Sequence, residues 1–157
     1  MKKIQLLILT LFVVLAVRAQ DGITVCHTPA TEKFALLASN KDFNMAHADP
    51  LPYTHQSAVG KMITFKTPDG KEANAYFLQA KSKSNNWIFV FQEWWGLNDH
   101  IKREAESLYN ALGNVNVLAL DMYDGKVTDK REEAGQLMGG FKQDRGNAIV
   151  QGALSYA

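Results

Sequence analysis

Two apolar runs, W-I-F-V-F at residues 87–91 and V-N-V-L-A-L at residues 115–120, flank a stretch of different periodicity. This arrangement restricts the fold more than any other feature of the chain. Each run is too short for a helix core and almost uninterrupted, the pattern of a strand covered on both faces. Between them Asn98 or Asp99 can cap a helix in which Ile101, Ala105, Leu108 and Leu112 recur at helical spacing. Lys102, Arg103, Glu104 and Glu106 take its wet side, and Gly113 ends it. Strand, helix and strand together have the length of a parallel crossover unit, so the fold class is α/β, with the run at 87–91 expected as a central strand.

The flanking sequence extends this unit in both directions. Residues 62–66 and 73–79 read as strands joined by Thr67-Pro68-Asp69-Gly70, where proline presets one turn dihedral and glycine permits a positive one. They form an antiparallel hairpin, which the polar residues 81–86 connect to the first apolar run. Beyond the Tyr123-Asp124-Gly125 loop, residues 129–142 read as a helix weakened by Gly135, Gly139 and Gly140. A last helix starts near Asp144 or Asn147 and carries Ala148, Ile149, Ala153 and Leu154. Residues 20–60 read as an N-terminal extension. There Thr28-Pro29 starts a short helix with Phe34, Leu37 and Ala38 on its apolar stripe, ending near Ser39-Asn40. Residues 44–60, with Pro50 and Pro52, read as irregular wrapping.

The first 19 residues have the organisation of a signal peptide: Lys2 and Lys3, an apolar stretch over residues 4–17, then Val17-Arg18-Ala19. Export is therefore expected, to a periplasmic or extracellular location, with no membrane association beyond export itself. Without those 19 residues the remaining 138 are enough for one domain but not for two, and residues 61–157 are expected to hold it. Net charge is +1 without a long basic block, which argues against nucleic acid as a partner. Cys26 is the only cysteine, so no disulfide can form within the chain. His27, His47, His55 and His100 lack the close spacing of zinc ligands. No metal or organic cofactor is expected.

In open α/β sheets, ligands sit beyond the carboxyl ends of the parallel strands. Gln92-Glu93-Trp94-Trp95-Gly96 and Asp121-Met122-Tyr123 fall there. Glu93 suits an acid, a base or an electrostatic partner, since aromatic neighbours restrict water; it equally suits a loop glutamate accepting backbone hydrogen bonds. Trp94 and Trp95 read first as packing residues, and Asp121 as the cap of the loop it starts.

A strand followed by Q-E-x-x-G-x-N-x-x-I-K, then a strand ending L-D-x-Y-x-G and a helix opening R-E-E-A, resembles the dienelactone hydrolase family of α/β hydrolases. The matching residues are Gln92, Glu93, Gly96, Asn98, Ile101 and Lys102; Leu120, Asp121, Tyr123 and Gly125; and Arg131, Glu132, Glu133 and Ala134. The resemblance covers residues 60–157 and implies hydrolysis of an ester or lactone through an acyl-enzyme. It also implies that Glu93 lies beside the nucleophile and controls its ionisation. The backbone N–H of Trp94 would serve the oxyanion hole, and Arg131 would bind a substrate carboxylate. Trp95, with Trp94, implies a pocket wall different from that used for small dienelactones.

The departure from the family is equally specific. The chain contains no G-x-C-x-G and no G-x-S-x-G; Cys26 precedes the first strand, and Ser155 lies in a helical context. The nucleophile, aspartate and histidine of the family are thus expected to be missing, with the chain representing the N-terminal part of a longer hydrolase and inactive and poorly soluble alone. A missing neighbouring strand would leave an open edge, expected on the strand at 115–120. The alternative is a non-catalytic exported binding or assembly protein that docks a partner by strand addition at that edge.

Overall fold

The computed structural model describes residues 30–46 and 49–157. The signal-peptide reading, Cys26, His27, His47 and the Thr28-Pro29 helix start lie outside the described residues. Among the described residues nine elements follow in chain order: α1 (Ala30–Ser39), α2 (Lys41–Ala46), β1 (Gly60–Lys66), β2 (Glu72–Leu78), β3 (Trp87–Phe91), α3 (Asp99–Leu112), β4 (Asn116–Leu120), α4 (Arg131–Gly140) and α5 (Gln143–Tyr156). The sheet order is β1-β2-β4-β3. β1 pairs antiparallel with β2 and β2 antiparallel with β4, while β3 and β4 run parallel in the register Trp87↔Asn116 to Phe91↔Leu120.

The hairpin and the strand-helix-strand unit both form as the sequence patterns require. Gly70 takes φ 79° in the turn, and its N–H donates to the Thr67 carbonyl at 3.1 Å. Asn98 caps α3, its side-chain oxygen accepting from the Ile101 N–H at 3.1 Å. Because side chains alternate along a strand, β4 serves two cores at once. Val117 and Ala119 face α3 together with Tyr76, Leu78, Leu97, Ile101 and Ala105. Leu118 and Leu120 face α5 with Phe65, Phe77, Ile149 and Ala153. The sheet is therefore covered on both faces, the layering expected of an α/β unit.

Four expectations need correction. β4, buried along its whole length, is the inner strand of the parallel pair, whereas β3 is only half-buried and has β4 as its sole strand partner among the described residues. The open edge belongs to β3 and not to residues 115–120, because the hairpin strand β2 has taken the other side of β4. On α3 the inward face is Ile101, Ala105 and Tyr109, with Leu108 and Leu112 exposed. Tyr109 reaches across to donate its hydroxyl hydrogen to the Gln79 carbonyl at 2.9 Å, a long reach that Leu108 cannot make. The fourth concerns α2, whose residues 44–46 lie where irregular chain was expected; it is started by Asn40, whose side chain accepts from the Phe43 N–H at 2.9 Å.

The extension is fastened to the domain both through α1 and through the residues that follow α2. α1 packs against α4 over Gly135 and Gly139, where an added Cβ would stand 3.5 Å from Ala38. The glycines that weaken α4 as an isolated helix thus give α1 a flat surface on which to lie. Farther along, residues 49–59 have no regular structure and are pinned by His55. Its backbone N–H donates to Asp99 at 3.0 Å, and its Nε2 lies 3.1 Å from the Tyr76 hydroxyl and 2.9 Å from Glu106.

Candidate functional site

The carboxyl ends of β3 and β4 open into a cleft of about 530 Å³. Gln92 ties the two strand ends together, its side-chain oxygen accepting from the Met122 N–H at 3.0 Å. After Glu93 the chain reverses: the Glu93 carbonyl accepts from the Gly96 N–H at 3.2 Å, and the Gly96 carbonyl accepts from Asn98 at 2.8 Å. Gly96 makes the reversal possible. Its φ is +92°, and a Cβ there would stand 2.4 Å from the Lys126 carbonyl oxygen, so neither the conformation nor the space admits a side chain. The reversal leaves Glu93 exposed on the cleft wall and buries the two tryptophans behind it.

Trp94 and Trp95 meet edge to face at 5.2 Å and form a small core with Ala134 and Met138 of α4, against which Ala38 and Phe43 pack. Trp94 also lines the cleft; Trp95 does not. Its carbonyl instead accepts from the Thr128 N–H at 3.1 Å, fixing the loop before α4. Both tryptophans therefore pack, and Trp94 does so while presenting a face to the cleft.

Asp121 is the cap that its position suggests. Its two carboxylate oxygens accept from the N–H groups of Tyr123 at 3.1 Å and Gly125 at 2.6 Å, shaping the loop that brings Met122 and Tyr123 to the cleft. Burial raises its pKa above the usual aspartate range, against the lowering effect of those two donors. Burial likewise raises the Tyr123 phenol above its ordinary value, so at neutral pH the cleft meets a neutral hydroxyl.

Arg131 stands apart from Glu93 and Trp94. It opens α4, but its guanidinium donates to the Asn44 carbonyl and to the Asp49 carboxylate, the latter at 2.7 Å, and it does not line the cleft. The structure thus brings Glu93, Trp94, Met122 and Tyr123 together and directs Arg131 to the N-terminal extension.

Sequence reasoning missed the extension's part in the site. Phe34 and Leu37 of α1 and Phe43 of α2 complete the cleft opposite the strand ends. The apolar stripe of α1 was a visible signal, but its partner could not be read. Arg145 was also missed. It joins the β1–β2 turn to the β4–α4 loop through Asp69 at 3.2 Å and Asp124 at 3.1 Å, and donates to the Glu72 carbonyl at 2.6 Å. Among the described residues no cluster of three or more potential metal ligands occurs.

The model of the dienelactone hydrolase family matches residues 73–156, more than half of the chain. The chain belongs to the dienelactone hydrolase family. The match runs from β2 to α5 and includes both strand ends that form the cleft. Among solved structures, this family member is similar to one titled m3DLH, with 26% identity and a TM-score of 0.49 over 61% of this chain and 41% of that one. It is also similar to a dienelactone hydrolase-like promiscuous phosphotriesterase from metagenomic libraries, with 23% identity and a TM-score of 0.48 over 62% and 42%. A further similar structure is a dienelactone hydrolase described from Klebsiella pneumoniae subsp. pneumoniae MGH 78578, with 18% identity and a TM-score of 0.48 over 61% and 43%. No curated protein matches the chain. The chain accordingly spans less than half the length of these solved structures.

Proposed function

We propose that this chain is part of an exported hydrolase acting on small-molecule esters or lactones through an acyl-enzyme, to which it contributes the strand-end half of the active site. The observation that carries this reading is the family match across a sheet whose β3 end places Glu93 and Trp94 on one apolar cleft. In the complete reaction a thiolate attacks the substrate carbonyl carbon and forms a tetrahedral oxyanion. Collapse expels the alkoxide, which takes up a proton, and water then hydrolyses the thioester to a carboxylic acid and the regenerated thiol. Glu93 is the residue beside that thiolate, governing its ionisation, and the Trp94 backbone N–H is an oxyanion donor. The thiol, the aspartate and the histidine come from residues outside the 157, since the sequence holds no nucleophile elbow.

Support for Glu93 in this role is positional: it stands at the end of a parallel strand, exposed to the cleft, with no ion-pair partner of its own among the described residues. The test is Glu93→Gln in the complete gene product. It removes the charge while keeping the shape, and kcat/KM for an aryl ester is expected to fall about 100-fold or more. An unchanged kcat/KM would remove Glu93 from the mechanism.

The open edge of β3 supports a second reading, a non-catalytic exported protein that binds a partner by strand addition. A stable complex formed through β3, with no ester turnover by the complete gene product, would favour it.

A further inference from the structure

The strand-end cleft has an unusually uniform lining. The extension contributes Phe34, Leu37 and Phe43, and the domain answers with Phe91, Trp94 and Met138. Among the described residues its ionisable groups are Glu93 and the Tyr123 hydroxyl, which is neutral at physiological pH and whose pKa burial raises further. Among the described residues no lysine or arginine lines it. Arg131, at the start of α4, is occupied in holding the extension through the Asn44 carbonyl and Asp49. The cations Lys126, Lys142 and Arg145 belong to a separate, smaller depression on the far side of Met122, Tyr123 and Phe141, and there Arg145 is engaged by Asp69 and Asp124.

We propose that this cleft selects neutral, bulky apolar acyl groups, such as aryl-substituted esters and lactones, and rejects substrates that carry a carboxylate. The proposal rests on the hydrolase reading above and narrows its substrate class. A carboxylate entering this cleft would lose hydration, would meet no cation among the described residues, and would face the Glu93 side chain. An aryl group gains contact with aromatic walls on both sides. Arg131 takes part as a positioning residue: by anchoring residues 44 and 49 it holds in place the wall that α1 and α2 supply.

The test uses two ligands of one shape, neither of them hydrolysable: 4-phenylbutan-2-one, which is neutral, and 3-phenylpropanoate, which is anionic. Both are titrated into the complete gene product, with tryptophan fluorescence as the readout because Trp94 lines the cleft. The ketone is expected to bind at least about tenfold more tightly than the carboxylate. Leu37→Glu, on the half-exposed α1 wall, should weaken ketone binding about tenfold, while Leu154→Glu on the exposed face of α5 should leave it unchanged. Equal or tighter binding of the carboxylate would overturn the proposal, as would ketone binding insensitive to Leu37→Glu. A dimer that Leu37→Glu dissociates would also overturn it, by showing that a second copy fills the cleft. The readout needs no turnover, so the two readings can fail separately. Ketone selectivity in a complete gene product that hydrolyses no ester supports the selectivity and counts against the hydrolase. Ester turnover by that product with no preference for neutral acyl groups overturns the selectivity alone.

Discussion

Asp121 and Arg145 do comparable structural work by different means. Asp121 satisfies two backbone donors within its own loop, which is why its role could be read from its place after a strand and before Tyr123-Asp124-Gly125. Replacing it with asparagine leaves one acceptor where there were two and sets an amide hydrogen against a backbone N–H. A loss of about 1–2 kcal/mol in urea unfolding is expected. The pH dependence has a definite sign. Asp69, Asp99 and Glu133 have lowered pKa values, chiefly through hydrogen bonds from Thr67, Lys102 and Thr128 respectively, so their stabilisation is present above the unfolded values and is lost as pH falls through the folded ones. Asp121 has a raised pKa, so its contribution is fully present at low pH and is lost as pH rises through the folded value. It therefore offsets part of the acid loss, and melting temperatures of Asp121→Asn should fall more steeply than wild type between about pH 5 and pH 3. Arg145 gave no local signal, because its partners Asp69 and Asp124 stand 76 and 21 residues away. Arg145→Met should cost about 2 kcal/mol by calorimetry, through charge-assisted hydrogen bonds lost at an almost buried side chain.

At the level of elements, the strands and main helices were legible because each carries its own periodicity. Their order in the sheet was not. The apolar run at 87–91 looks as buried as the run at 116–120, and only the pairing of β2 with β4 decides which is internal. Hydrogen exchange should separate them: β4 amides are bonded on both sides and should exchange slowest, while about half of the β3 amides point to the open edge and should exchange fast. The α1–α4 contact is a second case in which only tertiary structure explains a local pattern. Gly139→Ala places a Cβ at ordinary contact distance from Ala38, and should be neutral or stabilising by up to about 1 kcal/mol through helix propensity. Gly139→Leu should instead displace α1, reducing ketone binding in the cleft while the α3 and α5 cores stay folded. Gly96→Ala offers neither option, with a positive φ and the Lys126 carbonyl in the way, and should cost about 3 kcal/mol in thermal unfolding.

For the whole molecule, the α/β class and the family membership followed from strand-end motifs that keep their order and spacing along the chain. The site was half legible. Glu93 and the tryptophans announced themselves by breaking the apolar pattern of β3, whereas the wall from Phe34, Leu37 and Phe43 depends on how a distant segment lies across the domain. The central claim is that the Glu93–Trp94 strand end is the electrostatic half of an acyl-transfer site whose nucleophile lies beyond these 157 residues. The most direct measurement is peptide mapping of the complete gene product after acylation by a neutral aryl ester under conditions that trap the acyl-enzyme. The account predicts the label on a cysteine in a G-x-C-x-G sequence outside the 157 residues, with labelling slowed by Glu93→Gln. A label on Cys26 or Ser155, or labelling indifferent to Glu93→Gln, would contradict it.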